Sequence, residues 1–382
     1  MADAPSARLD AAKESGGAPS WHAYRARKYF TDLDGLRTLA IAGVVWNHAG
    51  SGDDHFGLGL GVKLYFVISG FLITTLLLRE RDETGVIGLY GFYVRRSLRI
   101  FPLYFSVLAI YAVLVLVMEH GTPEGIQFWR NIPAYMTFTA NWFVPFDVAT
   151  RVIFYFAWSL SAQEQFYAVW PAVVRVSRRT WMPPGLMVAA IAVAEVIGWG
   201  ARSGRLDASF VPIRILARSP SAIGLGFLAA YVLHSERGFR VIRPLIVRRW
   251  APFLGLGLML LQAIRLATHD ALATLGAILL VLSCAAREDG VLAPLLNHRL
   301  VRHVGMVSLG IYLVHMLALN VVRLFVPDGA RLTLFALGFP LSIVVASVSY
   351  RWFEQPIMGL RRRILRASAV RSARREMPRL VA

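Results

Sequence analysis

Cysteine is nearly absent from these 382 residues, and so, relative to base, is acid. A single cysteine, Cys284, lies within an apolar run, so an internal disulfide is excluded and a cysteine zinc cluster has no ligands. It reads as a small packing residue. The nine histidines supply no metal spacing of the H-E-x-x-H kind: His22, His55, His120, His234, His269, His298 and His303 lie in or near loops. No metal is expected. Charged residues of either sign make up only 17% of the chain. A secretory signal is also missing, because the opening MADAPSARLDAAKESGGAPS is small and polar, with no apolar core.

Apolar sequence is what the chain has in quantity. Hydrophobic residues reach 56% and mean hydropathy is +0.53, more apolar surface than a water-soluble core of this length needs. Runs of about 20 such residues, the length that crosses ~30 Å of hydrocarbon, recur along most of the chain. The hydropathy pattern predicts spans near 36–51, 58–78, 100–118, 155–175, 186–202, 213–234, 251–267, 270–286, 303–325 and 331–352. The expectation is an all-α integral membrane protein, a single bundle of about ten transmembrane helices. No internal repeat is visible and no loop is long enough for a second folded domain.

A formal charge of +18 would suggest nucleic acid if it covered one soluble face. Here the basic residues sit between apolar segments, so no nucleic-acid partner is expected and the bilayer is the partner instead. Lys/Arg excess marks cytosolic loops. The stretch 126–145 is broken by Pro133, Asn141, Trp142 and Pro145. If it stays outside or re-enters, then Arg25, Arg27 and Lys28, Arg95, Arg96 and Arg99, Arg175, Arg178 and Arg179, Arg237 through Arg249, Arg299 and Arg302, and Arg361 through Arg363 share one side. Both termini are then cytosolic, in a multi-pass protein of the cell inner (cytoplasmic) membrane. Residues 1–30 read as a disordered cytosolic tail, and 359–382 as a basic tail lying on anionic headgroups.

Several segments carry polar groups that apolar spans do not need. Asp34, Gly35, Leu36 and Arg37 open the first span, and Trp46, Asn47 and His48 close it. Arg37 and His48 have ten residues between them, about three turns and ~16 Å on a helix, on nearly one face. An ionisable residue inside a span points to a cavity or a partner; the alternative is a snorkelling arginine with a structural histidine. Gly57 to Ile73 is rich in small residues, which favours close helix packing. Its Lys63 either snorkels or contacts an anionic ligand. Arg96 and Arg99 lie three apart, hence on one face, and such a pair grips phosphates, as in coenzyme A, or anchors topology. Trp158 to Tyr167 gathers Ser159, Ser161, Gln163, Glu164 and Gln165; Glu164 could orient a base or a hydroxyl, with Tyr167 one turn on, or belong to an aromatic interface belt. Tyr312 and His315 share a face, Glu354 ends the last span, and Glu195 sits in an apolar run.

Together and in order, DGLR with His48, YFVISGFLI, RRSLRIFP, WSLSAQEQFY, SLGIYLVH and YRWFEQP resemble the membrane acyltransferase 3 family, which O-acylates surface polysaccharides and some glycosides. The match runs from about Thr31 to Glu354. The resemblance implies a transmembrane acyltransferase domain over 31–358, acyl-CoA (commonly acetyl-CoA) as donor, and a carbohydrate or glycoside acceptor. It places catalytic weight on Arg37 with His48, and on Arg96 with Arg99 as well. From the residues themselves, that arginine pair and Lys63 are assigned to the donor, Trp158, Tyr167 and His315 to the acceptor, and Glu164 to the chemistry. The chain departs from the family at Lys63, where an aspartate is common, and at Gln163, where the usual glutamate is displaced to Glu164, ~100° around a helix. His48 acts as general base, or as a transient acyl carrier. A transporter would also be polytopic, but it favours paired repeats or broken helices at matching positions; a purely structural scaffold leaves the Arg, His and Glu clusters unexplained.

The charge pattern makes a direct prediction. Reporters fused after Arg179, Arg249 and Arg363 should read cytosolic, and one after Arg130 extracytoplasmic. The reverse of these signals at Arg130 and Arg179 would overturn the placing of 126–145.

Overall fold

The computed structural model describes residues 19–50, 59–145, 151–263, 270–327 and 329–360, with the isolated Ile364. The described residues are helical throughout, without strands. The helices are α1 (Trp21–Ala26), α2 (Thr31–Ala49), α3 (Leu60–Thr84), α4 (Leu89–Met118), α5 (Pro123–Met136), α6 (Ala140–Phe143), α7 (Ala157–Val176) and α8 (Met182–Arg202). There follow α9 (Val211–Ala217), α10 (Ser221–His234), α11 (Glu236–Ile246), α12 (Ala251–Ala263), α13 (Asp270–Ala286), α14 (Ala293–Leu296), α15 (Arg299–Met306), α16 (Ser308–Phe325) and α17 (Arg331–Ser349), whose last turn widens into a π-helix at Tyr350–Glu354.

Five helices are long and apolar enough to cross a bilayer: α3, α4, α8, α16 and the continuous helix Arg331–Leu360. The count rises to seven if two bent pairs, α9 with α10 (52°) and α11 with α12 (76°), are each one span. Among the described residues each of the ten expected segments contains helix, yet the number that qualifies is five to seven. The reason is physical. Helix α2 carries Asp32, Asp34, Arg37 and His48, α7 opens on a polar face, and α13 is an apolar helix below full spanning length.

Where one bundle was expected, the chain forms two compact units, unit 1 from Met1–Arg79 with Ser177–Met306 and unit 2 from Glu80–Val176 with Val307–Ala382. Expectations for residues 1–18, His55, Gly57, His269 and the cluster Arg361 to Arg363 lie outside the described residues. The packed chain begins earlier than the boundary at residue 31. Ser20 caps α1 by accepting from the Ala23 amide at 3.1 Å, and Tyr24, Arg27 and Phe30 are buried in unit 1.

Small residues set the helix spacing in unit 1. A Cβ on Gly70 of α3 would lie 2.0 Å from the carbonyl oxygen of Ile223, and one on Gly226 of α10 would lie 2.3 Å from that of Val67. The two backbones therefore touch, which larger residues forbid. Around α2 the same device recurs: Gly35 abuts the backbone of Leu296, and Gly305 of α15 abuts the Asp34 carbonyl.

Unit 2 is held by aromatic rings. Tyr104 of α4 packs on Phe138 (4.6 Å between centroids) and Phe154 (5.7 Å), and Phe154 packs on Phe156 (4.8 Å). The Tyr104 hydroxyl donates to the Tyr135 carbonyl and the Tyr135 hydroxyl to the Ile153 carbonyl, both at 2.8 Å.

Gly70→Ala and Gly226→Ala should each lower the thermal unfolding midpoint in detergent, by the ~1–3 kcal/mol typical of overpacking. Gly257→Ala, on α12 with open space around its Cβ, should leave the midpoint unchanged or raise it. Equal midpoints for all three would dismiss the close-contact argument.

Candidate active site

Helix α2 has no side-chain N-cap, and its first turn instead carries Asp32 and Asp34, which suit the positive end of the helix dipole. Asp34 does two further things. Its Oδ1 accepts from Arg37 Nη1 at 3.0 Å, one turn along, and its Oδ2 accepts from the Tyr29 hydroxyl. Desolvation of that hydroxyl, and then the bond to Asp34, push the Tyr29 phenol up to about 12, so it stays a donor at neutral pH. Arg302 of α15 lies close enough for its charge to bear on Tyr29. The same turn is fixed from outside by Thr38, whose hydroxyl donates to the Val301 carbonyl at 2.5 Å, and by Asn297, which donates to Asp32 at 2.5 Å. Arg37 is thus held in one orientation by a buried carboxylate.

His48 lies in the last turn of α2, half-buried, at the opposite end from Arg37. The eleven-residue step puts ~16 Å between them along the axis. Lys63, near the start of α3, donates to the Gln262 side chain of α12 at 3.2 Å. That amide contact is a third possibility beside snorkelling and an anionic ligand. Arg37, His48 and Lys63 all belong to unit 1.

Unit 2 holds the remaining candidates. The Arg96 guanidinium lies over the Tyr167 ring, 4.0 Å from its centroid, an arrangement favoured by the negative face of the ring. Glu164 faces Arg96 electrostatically. Its neighbour Gln163 donates instead to the Tyr167 hydroxyl. The one-residue displacement of the acid therefore has a structural outcome: the amide at 163 holds the tyrosine, and the carboxylate at 164 lies within the field of Arg96 without bonding it, its Oε1 buried and without a hydrogen-bond partner. Arg99, one turn on from Arg96, faces Glu354 of the π-helix, which is buried. Each arginine of the pair has a carboxylate opposite it.

Trp158 sits half-buried in the first turn of α7. Next to it, Ser159 Oγ lies 2.6 Å from the Tyr312 hydroxyl, which itself bonds the Phe156 carbonyl. His315 is fully buried, its Nδ1 2.6 Å from the Tyr312 carbonyl and its ring 5.2 Å from that of Phe156. Tyr167 is also buried. Both side chains are thus buried within unit 2.

Sequence reasoning singled out Arg37, His48, Arg96, Arg99 and Glu164, and the structure brings together Arg96, Glu164 and Tyr167. It did not find Tyr29 as a partner of Asp34, because a tyrosine just ahead of a helix carries no periodic signal. Nor did it pair Arg99 with Glu354, which lie far apart in the chain. Among the described residues, no group of three or more His, Cys, Asp or Glu could hold a metal ion.

Comparison with known proteins supplies the class. A "Putative O-acetyltransferase" of Staphylococcus aureus strain COL is 37% identical over 164 residues, 40% of this chain and 26% of the relative. The peptidoglycan O-acetyltransferase OatA of Listeria monocytogenes is 26% identical over 380 residues, 87% of this chain and 56% of the relative. The O-acetyltransferase OatA of S. aureus strain NCTC 8325 is 32% identical over 170 residues, 42% of this chain and 27% of the relative. The chain spans from about a quarter to about half the length of these relatives. No solved structure matches it significantly. Residues 30–351 match the family described as acyltransferase domain, from just before α2 into the π-helix, and the chain belongs to that family.

Proposed function

We propose that this protein is an integral membrane O-acyltransferase that moves an acyl group, acetyl by the names of its relatives, from acyl-CoA to a carbohydrate hydroxyl. Peptidoglycan or another cell-surface glycan is the acceptor class, and the cytoplasmic membrane, with both termini cytosolic, is the location. The observation that carries this reading is the family match over 30–351, which includes α2 and the Arg96 and Arg99 pair.

In the direct mechanism the acceptor oxygen attacks the thioester carbonyl carbon while His48 takes the hydroxyl proton. The carbon–sulfur bond breaks, and the thiolate leaves and recovers the proton. In the relay, an imidazole nitrogen of His48 first takes the acyl group and then yields it to the acceptor. An imidazole in its neutral form is competent for either role, and His48 is half-buried at a helix end. Arg37, oriented by Asp34, supplies a fixed cation at the other end of the helix.

His48→Ala and His48→Gln should each lower acyl transfer by ~10²–10⁴-fold, with acyl-CoA binding and protein level unchanged. Near-normal turnover in His48→Gln would make the residue structural and move the search for a base to His315 and Glu164.

The donor phosphates compete with Glu164 and Glu354 for the same guanidinium groups. Arg96→Ala with Arg99→Ala should therefore weaken acyl-CoA binding, and the wild-type affinity should fall as salt rises. Glu164→Gln and Glu354→Gln should strengthen donor binding. If Glu164→Gln instead lowers turnover with donor affinity untouched, the acid acts in the chemistry and the arginine pair is a topology anchor.

A further inference from the structure

Helix α11 (Glu236–Ile246) does not fit the role of half a membrane span. Its eleven residues rise ~16 Å, about half the hydrocarbon thickness, and they include Arg237, Arg240 and Arg243. It is also not an ordinary water-facing helix, because it has two apolar sides. On the inner side Phe239 (2% exposed) and Ile246 (1%) are buried seven residues apart, and Phe239 stacks on Tyr24 of α1 at 5.9 Å. On the opposite side Val241 is 72% exposed and Leu245 45%, one turn apart, and Trp250 beyond the helix end is 51% exposed. Arginines flank this outer stripe, and Arg240 is linked to Glu236 along the helix at 2.8 Å.

The turn into α12 adds a cleft with ≈ 330 Å³ of empty space, its open mouth included, whose accessible lining is mostly apolar, with Ile246, Pro252 and Val291 standing beside Arg248, Arg249 and Arg287. Asp289 grips Arg287 through two bonds, at 2.6 and 3.0 Å, while Arg248 and Arg249 are exposed at the cleft. Aliphatic and indole side chains standing among guanidinium groups suit one environment, the boundary where phosphate headgroups meet acyl chains. There the apolar stripe leaves water and the arginines meet anions.

We propose that α11 is an interfacial helix lying in the headgroup plane, and that Arg248 and Arg249 at its end bind the phosphate of an anionic phospholipid. Under this assignment α11 and α12 are not one broken span. The proposal does not depend on the acyl-transfer reading, since it rests on the shape and charge of this corner of unit 1.

The native cysteine is buried, so a fluorescent label on Val241→Cys reports one place. The full protein would be placed in nanodiscs of phosphatidylcholine alone or with phosphatidylglycerol. The expected result is a blue-shifted probe, quenched more strongly by nitroxides near the headgroup than at the chain end, with a larger shift when phosphatidylglycerol is present. Native mass spectrometry should show phosphatidylglycerol retained by the wild type and reduced by about five-fold per arginine in R237Q, R248Q and R249Q variants. Stronger quenching from the chain end would make the pair a span, and full quenching by aqueous iodide in both lipids would make α11 a water-facing helix. Unchanged phosphatidylglycerol retention in the variants, or the same probe shift produced by soluble phosphate in phosphatidylcholine discs, would also overturn the proposal.

Discussion

Arg27 cannot stay buried without partners, and the way it is satisfied organises unit 1. Its Nη1 donates to the carbonyls of Ala285 at 2.7 Å and Cys284 at 3.3 Å, at the C-terminal end of α13, where carbonyls have no helical partner and the dipole favours a cation. Its Nε meets Glu288 at 3.1 Å. Burial works against the Arg27 charge and Glu288 restores part of it, but a guanidinium does not give up its proton in this pH range. Arg79 of α3 then donates to the carbonyls of Arg27 and Tyr24. Two arginines thus tie α1, α3 and α13 together before any apolar contact is considered. Because α2 begins four residues beyond Arg27, this network also fixes the turn that presents Asp34 and Arg37.

Unit 2 meets the same requirement with neutral donors. The stretch from Ile153 to Phe156 is irregular, and Phe154 has a φ of +62°, as Phe138 has one of +53°, conformations that cost energy for a bulky residue. Aromatic packing around Tyr104, Phe138 and Phe154 offsets that cost, and the hydroxyls of Tyr135 and Tyr312 satisfy carbonyls on either side of the bend. His315 is drawn into this cluster. It is buried beside Phe156 and Tyr312, whereas His48 keeps a partly open position at a helix end.

What the sequence made legible follows from periodic signals. Ten apolar segments stood out because hydropathy averages over a window, and among the described residues each of them contains helix. Arg37 with His48, and Arg96 with Arg99, stood out because spacing on one helix is local information. The packing of residues 19–30 was not legible: in WHAYRARKYF the apolar residues are broken up by Arg25, Arg27 and Lys28, and the segment is held by individual contacts from Tyr24, Arg27 and Phe30. The pairings of Tyr29 with Asp34 and of Arg99 with Glu354 were hidden for the same reason. The division at Gln163 and Glu164 was half visible, since the shift of the acid could be read but its consequence for Tyr167 and Arg96 could not.

The difference between ten expected spans and five to seven qualifying helices has the same origin as the candidate site. Helices α2 and α7 fall short because of polar and ionisable groups, Asp34, Arg37 and His48 in one, Ser159, Gln163 and Glu164 in the other. In hydrocarbon such groups are expensive, so a helix bearing them must turn them toward protein or water and surround itself with apolar helices. Helices α4 and α8 and the continuous helix Arg331–Leu360 bury less of their apolar stretches inside the protein than α3 and α16 do, which leaves more of their surface for lipid. Helix α4, whose spanning stretch is the most apolar of the five, also carries Arg96 and Arg99 near its start, so candidate chemistry in this protein is marked by where single ionisable residues stand along a helix and not by the mean hydropathy of the helix.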